Sequence, residues 1–274
     1  MTSDPPDHQP VTPPLQWQGG KRRMLPHLLP LVAARPHHLW VETFAGGAAV
    51  TFAKPPSKME VINDINNHLV NFYRYARLHR EALDMEFRSL IPFARTAFHE
   101  ARYLMECGTE LQRAAAFLLL NRRSFGADNK SYAVRKRPGG GCMATTEALA
   151  MLMRAASARL DRVNVECLPW QRCVQSYDAA HTLWFFDPPY IATQAKAYGG
   201  FSPEGFATLA AALKGLKGQW ILTMGDHPAV RAAMRAAVPA ECLVATVPTR
   251  RAIAAGNGTT QSTFTELIYA SPLR

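Results

Sequence analysis

Three times in this chain a short apolar run stops at a glycine turn or an acidic residue. Leu39-Trp-Val-Glu runs into Phe44-Ala45-Gly46-Gly47. Met59-Glu-Val-Ile runs into Asn63-Asp64-Ile65-Asn66, and Thr182-Leu-Trp-Phe-Phe into Asp187-Pro188-Pro189-Tyr190. Short apolar runs bounded by turn formers read as buried strands. Four more lie at Val163–Glu166, Trp220–Thr223, Leu243–Thr246 and Thr263–Tyr269. Helical patterns separate them: Asn67 to Leu78, a stretch from Glu81 to Leu120 broken near Pro92, Thr146 to Arg159, and Pro203 to Lys214. This alternation predicts an α/β fold, a mostly parallel seven-stranded sheet with helices on both faces. Such sheets bind ligands beyond the carboxyl ends of their strands. Gly46-Gly47, Asp64 and Asp187 should therefore meet at one rim.

The third of these rim motifs limits the chemistry. Two consecutive prolines remove two backbone donors and stiffen the turn. The turn fixes an acidic acceptor, a free carbonyl and an aromatic ring relative to one another. An exocyclic amine presents two N–H donors, which the Asp187 carboxylate and the Pro188 carbonyl can accept. The nitrogen lone pair is then aimed outward, and Tyr190 can stack on the base. Such an arrangement would work by positioning and electrostatics. An Asp-Pro turn that simply ends a strand is the plain alternative.

Charge points to the partner. Lysine and arginine number 31 against 21 acidic residues, a net charge of +10 at pH 7. An excess of that size favours a polyanion, with nucleic acid foremost. The five cysteines include no Cys-x-x-Cys pair, and the histidines, among them His27, His37, His38 and His227, show no ligand spacing. Neither a disulfide framework nor a metal site is expected. No apolar run approaches the roughly 20 residues that span a bilayer, so no membrane partner is expected, and a reducing cytoplasm is the simplest compartment. Residues 1–14 are polar and carry five prolines, which excludes a signal peptide and predicts a disordered lead-in.

Taken in order, the motifs resemble the Dam-type, or D12-class, adenine-N6 DNA methyltransferases. That family has Trp-x-Gly-Gly-Lys near its start, here Trp17-Gln18-Gly19-Gly20-Lys21. A Phe-x-Gly-Gly turn, an Asn-Asp-x-Asn motif and Asp-Pro-Pro-Tyr follow in the same order. The tail from Arg250-Arg251 to Glu266-Leu267-Ile268 is also similar, while the middle matches least. The resemblance implies a Rossmann-like methyltransferase fold using S-adenosyl-L-methionine, bacterial or phage-encoded and monomeric. Residues 15–80 and 161–274 would form the catalytic domain, and residues 81–160 an inserted, mainly helical target-recognition module. It implies that Lys21 pairs with the cofactor's methionine carboxylate and that Trp17, Gly19, Gly20 and Phe44 wall that pocket. Gly46 and Gly47 would let the backbone approach the cofactor closely, and Asp64 would accept from the ribose hydroxyls. The family's acidic-aromatic pair near the cofactor adenine is incomplete here. Trp170 either stacks there or fills the core, and Glu166 or Asp178 would have to replace the missing acid.

Methylating N6 inside a duplex is sterically blocked, so the adenine of double-stranded DNA must flip out. The candidate DNA segment is Asn121-Arg122-Arg123-Ser124 with Arg135-Lys136-Arg137 and the glycines after it, expected as an exposed loop or hairpin. Arg250 and Arg251 form a second basic segment. The tetrapeptide alone also suits an RNA adenine or a DNA cytosine-N4 methyltransferase, or a relative that binds DNA without catalysis.

Overall fold

The computed structural model describes residues 9–90, 95–124, 127–132, 146–191, 201–255 and 258–273, apart from the side chains of residues 146 and 250–263. The rim-forming strands are β1 (Leu39–Glu42), β2 (Met59–Asn63), β3 (Val163–Glu166), β4 (Thr182–Phe186) and β5 (Gln219–Gly225). With β6 (Leu243–Ala255) and β7 (Gly258–Ala270) they form a seven-stranded sheet in the order β3-β2-β1-β4-β5-β7-β6. β7 runs antiparallel to both its neighbours, and the remaining pairs are parallel. The chain leaves β1 toward one edge and returns at β4 on the other side. The sheet's switch point thus lies between β1 and β4, where the carboxyl ends open a crevice.

Every residue of β1, β4 and β5 is buried, which explains their continuous apolar reading. Trp40, Leu183, Phe185 and Ile221 pack with helices α1 (Leu25–Ala33) and α2 (Ala49–Ala53). Val41, Trp184, Phe186 and Leu222 face the other way, toward the helices that follow β4 and β5.

Helix α3 (Asn67–Leu78) begins where Asn66 caps the N–H groups of His68 and Leu69. Then come α4 (Arg80–Ser89), α5 (Arg95–Cys107), α6 (Glu110–Arg123) and α7 (Thr146–Leu160). A Thr109–Gln112 capping box starts α6. Leu83, Phe98, Phe117 and Met153 share one core with Phe52, Ile62 and Phe72 of the catalytic part. The inserted helices are therefore continuous in packing with the sheet.

Four differences from the sequence expectations have local causes. Trp170 opens a helix, α8 (Trp170–Tyr177), that is not among the sequence expectations; Pro169 precedes it at the N-cap position without a side-chain cap. After α9 (Pro203–Leu213), a tenth described helix, α10 (Pro228–Ala237), follows β5. The lead-in is attached from Val11, whose N–H donates to the Phe52 carbonyl at 3.0 Å. Finally, β6 and β7 continue past the sheet as a two-stranded ribbon to Ala255 and Gly258. Its polar, alanine-rich outer part has no apolar alternation to mark it as strand.

Candidate active site

The rim is built first from the turn after β1. Gly46 has φ +47°, and a Cβ there would lie 2.4 Å from the Trp17 indole nitrogen. Backbone conformation and the seated indole both require glycine. The turn is tied on three sides. Ala45 N–H donates to the Asn63 carbonyl at 2.9 Å, the Tyr73 hydroxyl to the Gly46 carbonyl at 2.9 Å, and Gly46 N–H to Asp64 Oδ2 at 2.9 Å. Asp64 Oδ1 accepts from Asn66 N–H, and the Ile65 backbone also bonds this carboxylate. Burial pushes the Asp64 carboxyl up, against its backbone hydrogen bonds.

The second part is Asp187. β4 and β5 pair Phe186 with Leu222, which brings Asp187 beside Thr223 one residue on. The Thr223 hydroxyl donates to Asp187 Oδ1 at 2.8 Å, and Lys21 Nζ lies 2.7 Å from Asp187 Oδ2. Lys21 is only 3% exposed and also donates to the Gly19 carbonyl at 2.7 Å. The carboxylate is thus clamped from both sides. The resemblance assigned Lys21 to a cofactor carboxylate. In this structure its ammonium contacts Asp187 and the Gly19 carbonyl.

Tyr190 also departs from expectation. Its ring is buried, stacked on Phe264 at 5.5 Å and 19°, with Lys21 Nζ 5.0 Å from its centroid. Here its neighbours are an aromatic and a cation, not an open face for a base. Gly225 makes the stack possible, since a Cβ there would lie 2.7 Å from Phe264. Phe264 belongs to β7, so the root of the ribbon is pinned to the catalytic turn.

A cavity of about 290 Å³ joins these parts. It is lined by Trp17 to Lys21, Glu42, Phe44 to Gly47, Asp64 to Asn66 and Asp187 to Tyr190. The three rim motifs and the Trp17–Lys21 motif therefore meet at one site. Sequence reasoning missed Glu42, Thr223 and Phe264. Glu42 ends β1, and an acid at a strand end before a glycine turn was a legible signal. Thr223 and Phe264 are marked only by strand register. Glu42 accepts from the N–H and hydroxyl of Thr51. Burial pushes its carboxyl up to about 7, with Asp187 adding to the rise and the Thr51 bonds and Lys54 opposing it.

Trp170 lies outside the cavity lining and packs, half-buried, against the core. Asp178 is committed to Trp184 Nε1 and the N–H groups of Lys217 and Gly218. Glu166 accepts from the Tyr177 hydroxyl.

The DNA candidates fare unequally. Asn121 is 0% exposed on the last turn of α6, and both halves of its amide bond the Gln16 backbone. Arg122 donates to the Pro14 carbonyl, and Ser124 is buried with its hydroxyl accepting from Asn129 N–H. These three corrections share one cause: the helix expected to end at Leu120 continues to Arg123 and packs onto the N-terminal segment. Arg123 is half-buried. Arg135, Lys136 and Arg137 lie outside the described residues. Arg250 and Arg251 lie in β6, with their side chains outside the description.

The sheet order and the motifs gathered at its rim are those of a Rossmann-like methyltransferase fold. Residues 17–232 match the family described as D12 class N6 adenine-specific DNA methyltransferase. The chain belongs to that family. It is 27% identical over 211 residues, 72% of either chain, to the type II methyltransferase M1.LlaDCHI of Lactococcus lactis subsp. cremoris. It is 28% identical over 187 residues to the DNA N-6-adenine-methyltransferase of Escherichia phage P1, covering 64% of this chain and 23% of the phage protein.

Proposed function

We propose that the chain transfers a methyl group from S-adenosyl-L-methionine to N6 of an adenine flipped out of duplex DNA. The observation that carries this is the shared cavity. The Gly46-Gly47 turn, Asp64 and the clamped Asp187 all line it. The residues fit the cofactor. A Cβ at Gly46 would collide with the Trp17 indole, so the turn stays bare backbone, and Asp64 lines the same cavity as an acceptor for a diol. Trp17, Gly19, Gly20, Phe44, Gly46, Gly47 and Asp64 would hold it. When bound, it supplies an electrophilic methyl sulfonium.

The chain's own residues do the rest. Asp187 and the Pro188 carbonyl accept the two amine hydrogens of the target base. Lys21 and Thr223 hold the carboxylate in place, so no reorganisation is needed as positive charge develops on the amine. The Pro188-Pro189 turn fixes the carbonyl relative to the carboxylate. Duplex DNA would be held by phosphate contacts from Arg135, Lys136, Arg137, Arg250 and Arg251. Tritium transfer from labelled cofactor to duplex DNA or RNA, followed by nucleoside analysis, tests the assignment. The expected product is N6-methyladenine in DNA. Label only in RNA, or only as N4-methylcytosine, overturns it, as does DNA binding without cofactor binding in calorimetry.

A further inference from the structure

We infer that Asn121 is a positioning residue: it docks residues 14–21 onto helix α6 and thereby places Lys21 against the catalytic carboxylate. This rests on the methyltransferase reading above. A fully buried carboxamide is costly unless both its ends are satisfied. Asn121 satisfies both with one residue 105 positions away: Gln16 N–H donates to Oδ1 at 2.9 Å, and Nδ2 donates to the Gln16 carbonyl at 2.7 Å. The pair resembles a one-residue strand bridge supplied by a side chain. The Gln16 side chain is exposed, so what is gripped is the backbone. Arg122 reinforces the grip at the Pro14 carbonyl.

Four residues, Trp17 to Gly20, separate this grip from Lys21, and they are not slack. Trp17 seats its indole against Gly46, and its carbonyl accepts Gly20 N–H at 3.1 Å. Gly19 turns the chain at φ +79°, and its carbonyl takes the Lys21 ammonium, which reaches Asp187 at 2.7 Å. A shift at Gln16 therefore arrives at the carboxylate.

Asn121→Ala should lower the single-turnover methylation rate about 10- to 100-fold at saturating DNA and cofactor, the scale of a misplacement near 1 Å. The salt slope of DNA binding should stay unchanged, because Asn121 touches no phosphate. If Asn121 acts through Lys21, the double variant Asn121→Ala/Lys21→Ala should be no slower than Lys21→Ala alone. Amide exchange at Gly20 should accelerate in Asn121→Ala while exchange at Val61 in β2 does not. Should Asn121→Ala fail to fold, Gln16→Pro removes one of the two hydrogen bonds from an exposed position and should show the same pattern more weakly. Additive losses with Lys21→Ala, a near-normal rate, or unchanged Gly20 exchange would overturn the inference. A changed salt slope would return Asn121 to the DNA-contact class. Wild-type protein that transfers no label to DNA would sink the methyltransferase reading instead, and the exchange measurement would still decide whether Asn121 holds the segment.

Discussion

The catalytic rim and the basic run Arg135-Lys136-Arg137, proposed to grip DNA, answer opposite demands. At the rim, Lys21, Glu42, Asp187 and Glu266 crowd into a space where each is under a fifth exposed. Every functional group there is fixed by a second group: Asp187 by Lys21 and Thr223, Gly46 by Asp64 and Tyr73, Glu42 by Thr51. Buried charges demand such partners. The basic segment has no such demand. Phosphate contacts tolerate many side-chain positions and gain their strength from net charge and counterion release. Methyl transfer needs fixed geometry and the grip on a polyanion does not, so the two regions break in different ways.

The sharpest break is Asp187→Ala. It removes the proposed amine acceptor and leaves Lys21 buried without its main anion. Methyl transfer should fall by on the order of 10³-fold or more, while duplex binding and its salt dependence stay near normal. Radiolabel transfer and fluorescence anisotropy measure the two sides. A variant that methylates within tenfold of the parent would remove Asp187 from the catalytic role.

Next comes the cost of packing an acid into the rim. The folded Glu42 carboxyl titrates near 7 against an ordinary 4.5, so between those values the native state holds a proton that the unfolded chain has released. Stability from this group is complete below about 4.5 and falls as pH rises to about 7. Glu42→Gln keeps an acceptor for both Thr51 donors and abolishes the titration. Its unfolding free energy should exceed that of the parent by an amount that grows from pH 5 to pH 8, reaching roughly 3 kcal/mol. A gap that does not change with pH would show that Glu42 is not neutral at the rim.

Gly46→Ala follows. The Cβ meets the Trp17 indole, and the backbone sits where an L side chain is strained. A cost of roughly 1–3 kcal/mol should appear as about 10- to 100-fold weaker cofactor binding in calorimetry, with little change in DNA affinity.

The sequence carried these two regions unequally, for physical reasons. Strand positions at the rim were legible because burial on both faces forces continuous apolar runs, and because turn chemistry demands Gly46, Asp64 and Pro188-Pro189 at their ends. β1, β3, β4 and α3 lie where the periodicity placed them. What could not be read were contacts between elements far apart in sequence. Nothing local distinguishes Thr223 from any strand threonine until β5 is set beside β4. Asn121 looked like the start of a polar, basic loop. Its burial depends on a partner 105 residues earlier, and side-chain polarity alone suggests the opposite. The outer ribbon of β6 and β7 was illegible because a two-stranded arm outside the core needs no apolar alternation.

The smallest effect probes the other side of the comparison. Arg137, beyond the described residues, sits in the most cationic run of the chain, Arg135-Lys136-Arg137. Unlike Asp187 it has neighbours of the same charge that can take over part of its work. Arg137→Ala should weaken duplex binding only several-fold at moderate salt and lower the salt slope by about 1, with the rate at saturating DNA unchanged. Binding titrations from low to high salt measure the slope. If the slope is unchanged, the run is not a phosphate contact and the positive charge acts elsewhere. If the saturated rate falls as well, the division between fixed chemistry and tolerant grip fails, because a cation of the reading segment would then be helping to set the geometry at Asp187.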